Sequence, residues 1–230
     1  MKRAQSMESE IEVDVRLQSP FTALVAGPTG SGKTRVVLDL IAHADKVSVP
    51  PPVKVVYCYD MWQETFNSVS GVTFCKGLTD VEKEFPADGE NRWLVIDDLM
   101  DELSGRDELN SLFTKQSHHL NISVFFVVQN LFHKGLRQVS LNSHYMFLFY
   151  NPRDVSTIQN LGRQLFPANP KFLLKAYEEA TGRPYSHLFL DLKQNTDRRA
   201  RVRAGFAGVD GEMRTFAENR RARGNGRGRV

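Results

Sequence analysis

Eight consecutive residues, Gly27-Pro28-Thr29-Gly30-Ser31-Gly32-Lys33-Thr34, constrain this chain more than any other stretch. They fit the phosphate-binding loop pattern G-x-x-x-x-G-K-[ST] without a gap. Such a loop works only where a buried strand runs into a helix. Glycines let the backbone curl so that successive N–H groups turn inward on an anion. Lys33 then reaches the β- and γ-phosphates of a nucleotide, and the Thr34 hydroxyl ligates Mg²⁺. The flanks supply both elements. Phe21-Thr22-Ala23-Leu24-Val25-Ala26 is the short apolar run of a buried parallel strand. After the loop, Val36, Val37, Leu40, Ile41 and Ala44 recur at helical spacing, and the helix must end before Pro50-Pro51-Pro52. The phosphates of ATP or GTP would sit at that helix's N-terminus, where backbone donors and the dipole favour an anion.

Further along, apolar strand-like runs alternate with helical segments. Residues 53–59 and 72–75 read as strands, as do 92–96, 122–128 and 145–150; a helix bearing Leu109, Leu112 and Phe113 lies among them. Residues 153–179 read as helical pieces broken by Pro167 and Pro170, and Leu188-Phe189-Leu190-Asp191-Leu192 as a late edge strand. This alternation implies an α/β fold, a mainly parallel central sheet with helices on both faces. A complete strand-forming segment lies between Lys33 and Asp97, which permits an extra strand between the two nucleotide-binding motif strands, as in ATPases with an added catalytic acid.

The expected organisation is an N-terminal extension (1–20), a P-loop ATPase domain (21–193) and an arginine-rich, disordered C-terminal tail (194–230). The 230 residues can bury a substantial core, and 41% apolar residues is an ordinary globular share. No run reaches membrane-spanning length, and the N-terminus lacks the apolar segment of a secretory signal, so an intracellular location is expected. Cys58 and Cys75, without metal-ligand spacing, read as reduced core thiols. The net charge is +3, but residues 194–230 hold ten arginines against four acids. Such a tail suits an electrostatic arm for nucleic acid or a nuclear address; a merely solubilising tail is the plainer alternative.

Leu94-Val95-Ile96-Asp97-Asp98 is the second chemical signal. Open α/β sheets bind ligands at the carboxyl ends of their strands, so Asp97 would face the loop and hold Mg²⁺, while Asp98 polarises the attacking water. Helix capping is the structural alternative for such a pair. Gln129, at the end of Val127-Val128-Gln129-Asn130, could bond both the water and the γ-phosphate, although a polar residue often simply ends a strand.

These residues resemble the HerA/FtsK superfamily of DNA-translocating ATPases. The stretch Phe125-Phe126-Val127-Val128-Gln129-Asn130-Leu131-Phe132-His133-Lys134-Gly135-Leu136-Arg137, continued by Leu141-Asn142-Ser143-His144-Tyr145 and Asn151-Pro152-Arg153-Asp154, is similar to viral genome-packaging ATPases. It resembles those of the poxvirus type and, most closely, those of adintoviruses and polinton-like elements. The likeness spans roughly 21–167. The superfamily often has Asp-Glu where this chain has Asp97-Asp98, and a shorter carboxylate reaches less far.

The resemblance implies a ring, a hexamer or pentamer, around double-stranded DNA. It also implies a viral capsid or portal-like vertex as partner and an infected host cell, nucleus or cytoplasmic assembly site, as the location. An arginine from a neighbouring subunit would stabilise charge on the transferring phosphate, with Arg137 and Arg153 as candidates. His133 and Lys134 would face DNA, whereas His118-His119 reads as structural or exposed. The rival readings are a P-loop helicase or nucleotide kinase, and a nucleotide-dependent switch with a nucleic-acid-binding tail.

Overall fold

The structure is a computed structural model that describes residues 13–99, 112, 117–131, 137–206, 209 and 213–218. Its strands in chain order are β1 (Leu17–Gln18), β2 (Thr22–Ala26), β3 (Ser48–Val49), β4 (Lys54–Tyr59), β5 (Val72–Lys76) and β6 (Arg92–Asp97). They continue as β7 (Ile122–Val128), β8 (Tyr145–Phe149), β9 (His187–Asp191), β10 (Val202–Ala204) and β11 (Arg214–Thr215). Nine of them form one sheet in the order β11-β10-β9-β8-β2-β7-β6-β4-β5. From β8 to β5 every pairing is parallel, while β9, β10 and β11 add on antiparallel. This is the expected α/β architecture.

The parallel strands are apolar throughout because both faces are covered. Every residue of β2, β6, β7 and β8 is buried. Successive side chains point to opposite faces, so each strand feeds two cores. Ala23, Val25, Trp93, Val95, Phe125 and Phe147 join one cluster with Val36, Val37, Leu40 and Ile41 of helix α1 (Lys33–Ala42). Leu24, Leu94, Ile96, Phe126 and Leu148 join the other, against Ile158, Leu173 and Tyr177 of the helices Val155–Leu165 and Lys171–Ala180. Each such side chain taken from water stabilises the fold by about 1.5–3 kcal/mol.

An extra strand does separate the two motif strands, but it does not come from the segment between Lys33 and Asp97. β7, which follows both motifs in the chain, lies between β2 and β6, whereas β4 and β5 lie outside β6. Segment 188–192 is not an edge strand either, since β10 covers the outer side of β9.

Both domain boundaries move outward. Leu17 is fully buried and β1 pairs with β3, so the segment from Val15 is joined to the domain rather than extending from it. Residues 202–204 and 214–215 are strands, with Val202 and Phe206 in the cores, so the domain continues past 194. The reason is Arg203, only 1% exposed. Its guanidinium lies over the Phe189 ring at 4.3 Å and donates to the Val15 carbonyl at 2.7 Å. Arginine content therefore does not mark that segment as a solvated tail.

Leu112 is buried, but Leu109, Phe113, His133, Lys134 and residues 219–230 lie outside the described residues. Cys58 is buried and Cys75 half-buried. Among the described residues no helix is long and apolar enough to cross a membrane.

Candidate functional site

The loop 27–34 leaves the end of β2 and enters α1 at the carboxyl ends of the parallel strands. Gly30 and Gly32 take φ of 76° and 103°, left-handed conformations that side chains resist, and Gly32 caps the helix. Gly27 has a different reason. A Cβ there would lie 2.6 Å from Cβ of Phe149 and 2.8 Å from Oγ of Ser31, so only glycine lets the loop cross the tip of β8. The Gly27 N–H donates to the Val128 carbonyl at 3.2 Å, which anchors the loop to β7. Thr29 and Gly30 form the exposed crest, and the half-buried Pro28 accepts at its carbonyl from Ser31 N–H at 3.2 Å.

Lys33 folds back over this loop, its Nζ donating to the Pro28 carbonyl at 3.0 Å. Burial lowers its pKa, and the charges of Asp97 and Asp98 oppose the shift. The ammonium is thus half-buried above the loop's inner face, held by neighbouring carboxylates without being tied to either.

Two pairs of side chains meet beside it. Thr34 Oγ1 donates to Asp97 Oδ2 at 3.1 Å, and the Tyr57 hydroxyl donates to the same oxygen at 2.6 Å. Asp97 is 5% exposed, and burial raises its pKa against the lowering effect of the two hydrogen bonds. In the second pair, Gln129 Nε2 donates to both carboxylate oxygens of Asp98, at 3.1 and 3.2 Å. Asp98 has φ 57°, a left-handed turn that swings its carboxylate from the line of β6 towards the tip of β7. Asp97 ends a buried strand and Asp98 stands in the exposed cleft, so adjacent acids occupy opposite environments.

A nucleotide and its magnesium fit these groups. The Ser31 hydroxyl is a buried polar atom without a hydrogen-bond partner among the described residues, inside the loop that would cradle phosphate. Two oxygens bound at right angles to one Mg²⁺ are about 2.9 Å apart, close to the Thr34–Asp97 separation. Asp97 Oδ1 accepts no hydrogen bond among the described residues and remains available to such an ion.

Of the two candidate arginines, Arg153 is not brought into this cluster. Arg153 is exposed in the turn after β8, where its N–H donates to the Asn151 side chain at 3.1 Å. Among the described residues its guanidinium has no partner. Arg137 begins the helix Arg137–Leu141, with its side chain outside the described set, as is that of His118. His119 is exposed.

Sequence reasoning missed Tyr57 and Asn151. Tyr57 looks like one more core aromatic in β4, yet its hydroxyl reaches Asp97 across the β4–β6 pairing; the phenol tip in a buried strand was the available signal. Asn151 donates to Asn130 at 3.4 Å and to Asp154 at 2.8 Å, which joins the segment after Gln129 to the turn bearing Arg153. The Asn-Pro-Arg-Asp order contains no sign of that link.

No protein-family model matches the chain, and no curated relative matches its sequence. Its fold is similar to that of solved viral NTPases. One is B204, the DNA-packaging ATPase of Sulfolobus turreted icosahedral virus: 13% identity and a TM-score of 0.51 over 76% of this chain and 94% of that one. Another is the genome packaging NTPase B204 of Sulfolobus turreted icosahedral virus 2 in complex with sulfate, at 11% identity and a TM-score of 0.54, covering 80% and 95%. The latter protein in complex with ATP-γ-S matches at 12% identity with a TM-score of 0.50, over 80% and 96%. At such identities the likeness is one of fold, and the fold of this chain is that of a P-loop ATPase.

Proposed function

We propose that this chain is an ATP-driven motor that translocates double-stranded DNA and packages a viral genome into its capsid. One observation carries the reading. The ends of three adjacent strands bring the loop 27–34, the Thr34–Asp97 pair and the Asp98–Gln129 pair into one cleft, on a fold like that of proteins described as genome-packaging NTPases. The stretch after Gln129 resembles viral packaging ATPases more specifically, those of adintoviruses and polinton-like elements among them.

In this reading Lys33 leaves the Pro28 carbonyl for the β- and γ-phosphate oxygens of ATP, and the loop N–H groups hold the rest of the triphosphate. Thr34 and Asp97 hold Mg²⁺, which neutralises charge on those oxygens. Tyr57, its hydroxyl kept protonated by burial and by the Asp97 charge, fixes Asp97 in place. Asp98 takes a proton from water as the water oxygen bonds to the γ-phosphorus. The bond to the bridging oxygen breaks, and ADP and phosphate leave.

Gln129 orients Asp98 before nucleotide arrives and turns to the γ-phosphate afterwards, passing that change to the segment following it. Arg153 or Arg137 enters from the next subunit of a hexameric or pentameric ring, because head-to-tail contacts place each cleft at a subunit boundary. Contacts to duplex DNA go mainly to its phosphates, as a motor working along a whole genome requires.

ATP hydrolysis with and without duplex DNA, with oligomer mass recorded in the same samples, tests the proposal. DNA-stimulated turnover by a ring, lost in Lys33→Ala, is expected. DNA-independent turnover by a monomer, strand separation, or phosphate transfer to a small molecule would overturn it.

A further inference from the structure

The loop 27–34 has two flanks. The tips of β6 and β7 place Asp97, Asp98 and Gln129 on one. The tips of β8 and β9 form the other, where His187 at the start of β9 pairs with Phe149 at the end of β8. The chain leading into β9 therefore passes the carboxyl rim beside the phosphate loop. A groove of about 690 Å³ opens there, lined by Ala180, Arg183, Tyr185, Gly205 and Arg214 among others. That volume suits a small organic ligand.

Tyr185 stands between groove and loop. A methyl group placed on Gly32 would lie 3.4 Å from both Cβ and Cδ1 of Tyr185, and 3.5 Å from Cε1 of Phe149. Yet Tyr185 is 72% exposed, and no other ring packs on it among the described residues. Its backbone also has φ 65°, a conformation costly for a bulky side chain. A glycine would turn the chain here more cheaply, and burial gains little from the ring. An exposed aromatic face held in strained backbone beside a phosphate site is positioned for a flat ligand.

We infer that Tyr185 is the platform on which the base of a purine nucleotide stacks, with the ribose spanning from the loop to the ring and the far edge of the base facing the groove. This rests on the loop 27–34 holding the nucleotide's phosphates. The carboxylate flank belongs to the metal and the attacking water, so the uncharged end of the nucleotide leaves over Gly32 towards β9. At the groove wall, Glu179 is neutralised by Arg214 at 2.7 Å, which keeps bare negative charge from the ligand. Stacking grows with ring overlap, so a purine gains more than a pyrimidine.

Titration calorimetry of the full-length protein with ADP and with pyrophosphate, both with Mg²⁺, tests this. In Tyr185→Gly the affinity for ADP should fall about tenfold, the size of one lost base–aromatic stack. Pyrophosphate, which has no base, should bind unchanged. The melting temperature should hold or rise, because glycine adopts this backbone without strain. Tyr185→Phe, which keeps the ring, should match the unaltered protein, and the preference for ATP over CTP should shrink only in Tyr185→Gly. Equal weakening of ADP and pyrophosphate would make Tyr185 a prop for the loop and overturn the platform, as would unchanged ADP affinity. If the unaltered protein binds neither ligand, the phosphate-loop reading fails and takes this inference with it. If it binds both equally tightly, the loop stands and the platform falls.

Discussion

The same parallel strands end in two very different ways. At their amino ends most polar groups are satisfied, the Trp93 indole N–H being an exception among the described residues. Thr22 Oγ1 donates to the Asn142 carbonyl at 2.6 Å, Asn91 to the Pro50 carbonyl at 2.8 Å, and the Arg92 guanidinium forks onto Asp88 with two contacts of 2.6 Å. At their carboxyl ends, Ser31 keeps a buried hydroxyl without a partner among the described residues, and Asp98 and Tyr185 sit in left-handed backbone. Half-buried Lys33 and buried Asp97 are both held against the preference of their charged forms. Asn121, near the amino ends, also has positive φ, but asparagine adopts that conformation readily. One end stabilises the sheet, while the other retains the strain and open valences that a ligand can use.

Substitutions should therefore separate by end. The largest effect is expected at the carboxyl end. Asp98→Asn should lower kcat for ATP roughly 10³-fold with the melting temperature unchanged. Asp98→Gly should be as inactive yet more stable, by up to about 1 kcal/mol, because it relieves the left-handed turn. Steady-state hydrolysis and thermal melting on the same samples check both, and full turnover in Asp98→Asn would remove Asp98 from the chemistry.

Next in size is Arg203, which joins the antiparallel flank to the N-terminal segment. Burial pushes its pKa down to about 10, partly offset by Asp191, whose Oδ2 lies 3.6 Å from its Nη2. It thus stays charged at neutral pH. Arg203→Met should cost about 3 kcal/mol in urea unfolding, since it leaves Asp191 without its buried cation. Adding Asp191→Asn should recover part of that loss. A merely additive double variant would mean that the rings of Phe189 and Phe206, rather than the ion pair, fix this strand.

At the amino end, Thr22→Val keeps the shape of a fully buried side chain but deletes its hydroxyl. A loss of about 1–2 kcal/mol in the same unfolding measurement is expected, with kcat intact. Reduced kcat at unchanged stability would break the division between the two ends.

The smallest effect concerns pH. Hydrogen bonding to Arg92 holds the Asp88 carboxyl down at about 2 from an ordinary 3.8. The folded carboxylate thus binds its proton less readily than the unfolded one. Its contribution is complete above about pH 4 and disappears as pH falls through about 2. Melting curves of Asp88→Asn should lie slightly below those of the unaltered protein near neutrality and merge with them in acid. Because Asp88 is exposed, the gap should be small.

How far these ends could be read from sequence differs by element. β2, β6, β7 and β8 are buried on both faces, so they appear as continuous apolar runs. β10 and β11 are short and rich in arginine, and nothing in their composition separates Arg203, sealed between rings, from a solvated neighbour. The order of strands was equally hidden, because β7 enters between β2 and β6 after both have been made. Tyr57 and Tyr185 escaped notice for a related reason. A tyrosine's role depends on whether its hydroxyl or its face meets something from another part of the chain.

The sequence alone determined that a buried strand runs through the glycine-rich loop 27–34 into a helix and that Asp97 and Asp98 close another buried strand. A strand, a glycine-rich turn and a helix N-terminus are local events, set by neighbouring backbone conformations. Tertiary structure decided which groups meet. Thr34 reaches Asp97 across 63 positions and Gln129 reaches Asp98 across 31, while Tyr185 lies against Gly32 only because β9 runs antiparallel to β8. Those distances depend on sheet order and direction. They follow from burying all the apolar faces at once, which no local pattern of residues records.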